Sequence, residues 1–69
     1  MPNSVYKVIE LVGSSPDSWE KAAAAAVEQA SKTLRDLRVA EVAQLDMSIE
    51  GAKITYRARV KVSFKFEGK

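Results

Sequence analysis

The chain contains 69 residues, with eleven lysines and arginines against nine aspartates and glutamates, and it has neither histidine nor cysteine. This length predicts one small domain over residues 1–69, near the margin of independent stability, where oligomerisation is a common remedy. The missing residue types exclude disulfides and the usual zinc sites and leave few catalytic pairs. We therefore expect no enzyme, and any bound metal should be a hard cation held by oxygen atoms.

A β-strand followed by a single helix is predicted for the first half of the chain. Residues 5–12 are rich in β-branched and aliphatic side chains, and Gly13 is expected to end this strand. Ser15 is predicted as the helix N-cap and Pro16 as the first helical residue, with the helix continuing to about Asp36. The expected buried stripe, at helical spacing, consists of Trp19, Ala23, Ala26, Ala30 and Leu34. Its alanines allow the helix to lie close to a sheet, and Trp19 is assigned to the core or an interface rather than to a planar ligand.

Two long strands after the helix are predicted to form an antiparallel hairpin with a tight turn at Gly51. Apolar and polar residues alternate without a break over residues 54–66, which predicts a half-buried strand of roughly 43 Å. A compact chain of this length has a diameter of only about 30 Å, so other subunits are expected to cover the strand ends. The preceding strand begins near Leu37, and its alternation changes phase, which predicts a β-bulge between Glu41 and Ala43.

Two rows of polar side chains are expected to face each other across this hairpin. The basic row is Arg57, Arg59, Lys61 and Lys65, and the opposing row is Gln44, Asp46, Ser48 and Glu50. A solvated or intersubunit strand face is the favoured interpretation of the basic row, with the opposing row able to pair with it across the hairpin. A phosphate-binding surface for nucleic acid is the alternative, although no aromatic residue interleaves with the basic row. Asp46 and Glu50 lie on one face about 13 Å apart. Copies of either carboxylate would therefore converge only around a symmetry axis, where they would attract a hard cation.

The order of these elements, together with several local motifs, resembles the dodecin family. The motifs are VYKVIELVGSS at residues 5–15, Ala40-Glu41-Val42, Thr55-Tyr56, and VKVSFKFE at residues 60–67. The resemblance implies an α+β subunit of β-α-β-β order, in which a three-stranded antiparallel sheet wraps around one helix. It also implies a hollow homododecamer that binds a small ligand, because most dodecins store flavins.

Two positions that contact flavin in the family differ in this chain. The resemblance places Val39 where flavin binders have a tryptophan that stacks on the ring, and Arg57 where they have a glutamine that holds its polar edge. Loss of the stacking surface is expected to cost about 1–3 kcal/mol per ring. A modified flavin site for FMN or riboflavin, lined by Val39, Arg57 and Gln44, stays as the alternative function.

A branch of the family that lacks this tryptophan resembles the chain more closely. The shared segments are Ser18-Trp19-Glu20, Arg38-Val39-Ala40, Asp46-Met47 and KITYR at residues 53–57, and that branch is associated with calcium. We therefore predict a non-enzymatic homododecamer that stores or buffers a small ligand or cation, with calcium favoured. Asp46 and Glu50 are the expected metal ligands on chemistry alone, and Gln44 is able to add a neutral oxygen.

The sequence contains no stretch typical of a signal peptide or a membrane span, so a cytoplasmic location without a membrane partner is expected. Nucleic acid is not an expected partner, since the formal net charge is only +2. A nucleic-acid-binding module remains the remote alternative, and a steep salt dependence of oligonucleotide binding would identify it.

Overall fold

The computed structural model describes residues 3–66 and places one helix between a single strand and a long hairpin. The elements are β1 (Tyr6–Ser15), α1 (Trp19–Ser31), β2 (Leu37–Glu50) and β3 (Lys53–Lys65). The predicted α+β class and β-α-β-β order are therefore confirmed. No helix among the described residues has the length and apolar character needed to cross a membrane.

The three strands form one antiparallel sheet in the order β1-β3-β2, so β3 is the central strand. Val60 of β3 lies opposite Leu11 of β1 on one side and Val42 of β2 on the other. The helix covers one face of this sheet, which we call the inner face, and the opposite face is the outer face. This arrangement explains the unbroken alternation of β3, because every second residue faces the helix.

The hairpin of β2 and β3 contains two register shifts and a glycine turn. The register of β2 against β3 shifts between Val42 and Gln44, which confirms the predicted bulge and places its extra residue at Ala43. A second shift, between Leu37 and Val39, was not predicted. The turn at Gly51 is also confirmed: its φ is 60°, a left-handed conformation that glycine adopts without steric cost.

The core lies between the helix and the strands β1 and β3. Its buried residues are Ala22, Ala26 and Ala30 of the helix and Ala58, Val60 and Val62 of β3. The helix reaches the sheet at Gly13, where a Cβ atom would collide with the backbone oxygen of Ala22 and lie 3.1 Å from the Cβ of Ala26. The predicted stripe is confirmed in part: Ala26 and Ala30 are buried, Trp19 and Ala23 are half-buried, and Leu34 lies beyond the end of the helix. The sequence interpretation missed Ala22, which is buried.

The predicted helix ends are wrong at both termini. Ser18, not Ser15, is the N-cap, and its Oγ accepts a hydrogen bond from the Lys21 amide at 3.1 Å. Ser15 still belongs to β1, where it pairs with Tyr56, and its Oγ accepts from the Asp17 amide at 3.0 Å. Gly13 therefore does not end the first strand, because pairing with β3 holds the chain extended for two more residues.

At its other end the helix stops at Ser31 rather than near Asp36. Lys32 and Thr33 form a turn, and the Leu34 amide still donates to the Ala30 oxygen at 2.9 Å. Asp36 has a positive φ of 58°, and its oxygen accepts from the Lys65 amide at 3.2 Å. Asp36 is therefore hydrogen-bonded to the end of β3 and does not belong to the helix, contrary to the prediction.

The chain is elongated, with extents of 53 × 20 × 16 Å and a radius of gyration of 14.3 Å. A compact chain of this length has a radius of gyration of about 11 Å. The helix covers β1 and β3 but leaves the inner face of β2 open, and there Val42, Leu45, Met47 and Ile49 are between 46% and 69% exposed. We call these four residues the apolar strip. Such a contiguous exposed surface is unusual for a monomeric soluble protein.

Candidate functional site

Asp46 and Arg57 form a two-point ion pair on the outer face of the sheet. The two residues are direct cross-strand partners in β2 and β3. Arg57 Nε donates to Asp46 Oδ1 at 2.7 Å, and Arg57 Nη2 donates to Asp46 Oδ2 at 2.8 Å. Both carboxylate oxygens are therefore engaged by one guanidinium, the strongest geometry for such a pair. This contact confirms the predicted pairing of the two rows at Asp46 and Arg57. Ser48 and Glu50 instead lie opposite Thr55 and Lys53, which are not part of the basic row.

The ion pair changes the proton affinity of both partners. Hydrogen bonds from Arg57 lower the pKa of Asp46 below its ordinary value; partial desolvation opposes this shift, and the positive charges of Arg57 and Arg59 add to it. The same hydrogen bonds raise the pKa of Arg57 above its ordinary value. Asp46 is thus an anionic oxygen donor at neutral pH, and carboxylate oxygens are among the ligands that hard cations prefer.

Trp19 fixes the main chain of Asp46 from the inner side. The indole Nε1 of Trp19 donates to the backbone oxygen of Asp46 at 2.9 Å. The indole also meets Tyr56 edge to face, with ring centroids 5.0 Å apart and an interplanar angle of 71°, a favourable aromatic geometry. Asp46 is therefore held at its backbone by the start of the helix and at its side chain by β3. Sequence reasoning missed the indole contact because a backbone acceptor leaves no residue pattern.

A shallow apolar groove of about 510 Å³ lies beside Trp19, between the start of the helix and β2. Its lining consists of Trp19, Glu20, Ala23, Val42 and Leu45. The groove is continuous with the apolar strip, since Val42 and Leu45 belong to both. It therefore extends the exposed apolar surface up to the helix.

The other predicted metal-site residues lie apart from Asp46 within one chain. Glu50 is exposed at the end of β2 opposite Lys53, and Gln44 is exposed opposite Arg59. Over residues 3–66 there is no cluster of three or more acidic, histidine or cysteine side chains that would hold a metal. Calcium takes about six to eight oxygen ligands, so one chain alone does not provide a calcium site.

The positions that resemble the family's flavin site are also separated within the chain. Val39 lies opposite Ser63 and is 62% exposed, whereas Arg57 is bound to Asp46. Ser63 and Arg57 are six positions apart on β3, which corresponds to about 20 Å. A ligand touching Val39 and Arg57 together would therefore need more than one copy of the chain.

Acidic residues flank the basic row from both neighbouring strands. Arg59 Nη1 lies 3.8 Å from Glu10 Oε1 of β1, and Lys61 faces Glu10 on one side and Glu41 on the other. The contribution of β1 was not predicted, because it depends on β3 being the central strand. Arg59 and Lys61 therefore have acidic neighbours, whereas Lys65 at the end of the row lies opposite Tyr6 of β1.

Comparison with known proteins gives these geometric observations a family context. A family model described as dodecin matches residues 5–67. The chain belongs to the dodecin family. Among its relatives, calcium dodecin from Mycobacterium tuberculosis is 56% identical over 63 residues, covering 90% of this chain and 89% of the relative. A dodecin from Thermus thermophilus is 41% identical over 64 residues, covering 91% of this chain and 93% of that dodecin.

Solved dodecin structures share the fold over almost the whole chain. The M. tuberculosis calcium dodecin, described as calcium chelating with a novel calcium-binding site, superposes with a TM-score of 0.86 at 52% identity and 96% coverage of both chains. Dodecin from Streptomyces coelicolor superposes with a TM-score of 0.91 at 38% identity and 100% coverage of both chains. The predicted three-stranded sheet with one helix is therefore that of the family.

Proposed function

We propose that this dodecin is a non-enzymatic, homododecameric calcium-binding protein that stores or buffers the ion in the cytoplasm. The observation that carries the proposal is its 56% identity over 63 residues to a protein named calcium dodecin. The residues at the flavin-site positions support it, since Val39 has no ring to stack on a flavin and Arg57 has no amide to hold its polar edge.

Assembly of several copies is supported by the shape and surface of the chain. The apolar strip is exposed, and Val8, Val12 and Val39 are also half or more exposed on the outer face. Burial of these side chains between copies would supply the stability that a small core lacks, at about 25 cal/mol per Å² of apolar surface. Assembly would also bring copies of one carboxylate together around symmetry axes.

Asp46 and Glu50 are the proposed calcium ligands, with Gln44 as an additional oxygen donor. All three belong to the outer face of β2 after the bulge, and their donor atoms are the oxygens that calcium prefers. Asp46 is the leading ligand because it lies on the polar face of a hairpin strand, where symmetry brings several copies together. When bound, calcium would supply a positive charge shared between carboxylates of neighbouring copies.

Calorimetric titration of the assembled protein with calcium, magnesium and riboflavin tests this function. We expect heat from calcium, and Asp46→Asn should abolish it while sedimentation velocity shows the same assembly. Asp17→Asn is the matched control, because Asp17 is also ion-paired, with Lys21 at 3.3 Å on the helix; it should leave calcium binding unchanged.

Three outcomes would contradict parts of the proposal. Unchanged calcium affinity in Asp46→Asn would eliminate Asp46 as a ligand. Heat and fluorescence quenching from riboflavin, with none from calcium, would establish the modified flavin site instead. A stable monomer at micromolar concentration would refute the assembly.

A further inference from the structure

A cation that binds the carboxylate of Asp46 must replace the hydrogen bonds from Arg57. One guanidinium occupies both oxygens of the carboxylate, at 2.7 and 2.8 Å. On its other side Arg57 faces Ser14 of β1, which carries no charge, so Asp46 is its anionic partner across the sheet. The side chains of Arg57 and Asp46 are 43% and 38% exposed, which leaves the guanidinium room to move into solvent.

We propose that Arg57 competes with the hard cation for the carboxylate of Asp46, so that the cation binds only when the guanidinium leaves. This inference rests on the proposed function in taking Asp46 as the calcium ligand. Arg57 has a second effect when no cation is present. It neutralises the copies of Asp46 that assembly brings together, which removes their mutual repulsion. The competition makes cation binding weaker and more readily reversible, a useful property for a buffer.

Trp19 provides a built-in reporter for this exchange. It is the only tryptophan of the chain, and its indole donates to the Asp46 backbone oxygen at 2.9 Å. Terbium(III) is a hard, oxygen-seeking cation whose luminescence is sensitised by a nearby excited indole. Terbium bound at Asp46 should therefore luminesce on excitation of Trp19, and calcium added afterwards should quench the signal by displacing it.

Three arginine variants distinguish the effect of occupying the Asp46 oxygens from the effect of a positive charge nearby. Arg57→Gln removes the competitor, and Arg57→Lys keeps its charge but gives up the two-point contact. Arg59→Gln is the matched control, since it removes an equal charge two residues away from a looser pair with Glu10. We expect terbium to bind about three- to tenfold more tightly in Arg57→Gln. The factor should be smaller in Arg57→Lys and in Arg59→Gln, because the charge of Arg59 also acts on Asp46 but its guanidinium does not occupy the carboxylate oxygens. Asp46→Asn should abolish the sensitised signal.

The results also distinguish this inference from the proposed function. Equal effects of Arg57→Gln and Arg59→Gln, or weaker binding in both Arg57 variants, would overturn the competition. Calorimetric calcium binding without sensitised terbium luminescence in any variant would also overturn it, while leaving calcium binding intact. Conversely, the expected order of terbium affinities without displacement by calcium would uphold the competition and refute calcium as the physiological ion.

Discussion

Asp46 is the residue on which the candidate site depends, and its three polar contacts come from different parts of the chain. Its backbone oxygen is held by Trp19 of the helix, and its two carboxylate oxygens are held by Arg57 of β3. The ion pair was predictable from sequence because the two rows alternate on neighbouring strands. The Trp19 contact was not, since nothing in the sequence marks which backbone oxygen an indole will reach.

Replacement of Trp19 by phenylalanine tests how much this backbone contact stabilises the fold. The variant keeps a ring near Tyr56 but loses the hydrogen bond to Asp46 and part of the buried ring, so we expect a loss of about 1–3 kcal/mol. Denaturant unfolding at one fixed protein concentration measures it, because the proposed assembly would make the midpoint concentration-dependent. Tyr56→Phe keeps both the indole bond and the ring contact and should be nearly neutral. Equal stability of Trp19→Phe and the wild type would contradict the role assigned to the bond.

At the scale of elements, the sequence predicted periodicity better than boundaries. The alternation of β3 identified a strand because the helix covers only one face of it. The helix start was wrong because Ser15 and Ser18 are both good caps, and the choice depends on the pairing of Ser15 with Tyr56. The separation of Val39 and Arg57 was likewise not predicted, because it depends on the register of β2 and β3. Local patterns do not contain such tertiary pairings.

The close contact between α1 and β1 gives a prediction at the same scale. Gly13→Ala places a Cβ against the Ala22 backbone oxygen and the Ala26 side chain, and neither atom belongs to a flexible group. The helix must therefore move away from the sheet, at an expected cost of about 1–3 kcal/mol. Thermal unfolding at fixed concentration measures the loss.

Gly51→Asn is the matched control for that substitution. Nothing lies within 4 Å of a Cβ at Gly51, and its φ of 60° is one that asparagine tolerates. We expect this variant to stay close to the wild type. A Gly13→Ala protein as stable as Gly51→Asn would mean that the helix does not need to approach so closely.

For the whole molecule, the exposed apolar strip predicts how the chain depends on its neighbours. Leu45→Glu changes a side chain that is 48% exposed in the single chain, so the subunit should keep its secondary structure. A buried, unpaired charge would be costly if copies cover this position. Sedimentation velocity should therefore show a smaller species with unchanged circular dichroism. Ala25→Glu is the control: it lies on the exposed side of the helix, adds an equal charge and should retain the assembly. If both variants assemble like the wild type, copies of the chain do not cover the strip.

The bulge at Ala43 should affect how copies of the chain close into an assembly rather than how tightly Asp46 binds a cation. Removing this one residue would restore regular pairing, with Val42 still opposite Val60 and Gln44 still opposite Arg59, so the Asp46–Arg57 pair would survive. The two halves of β2 would instead lose the bend that a bulge introduces. Identical copies form a closed assembly only when the rotations between neighbouring copies add up to a full turn, and otherwise they form open filaments. The proposed wild-type assembly has a single size, and we expect deletion of Ala43 to give folded subunits in assemblies of mixed size by light scattering. A single size equal to that measured for the wild type would show that the bulge does not set the curvature.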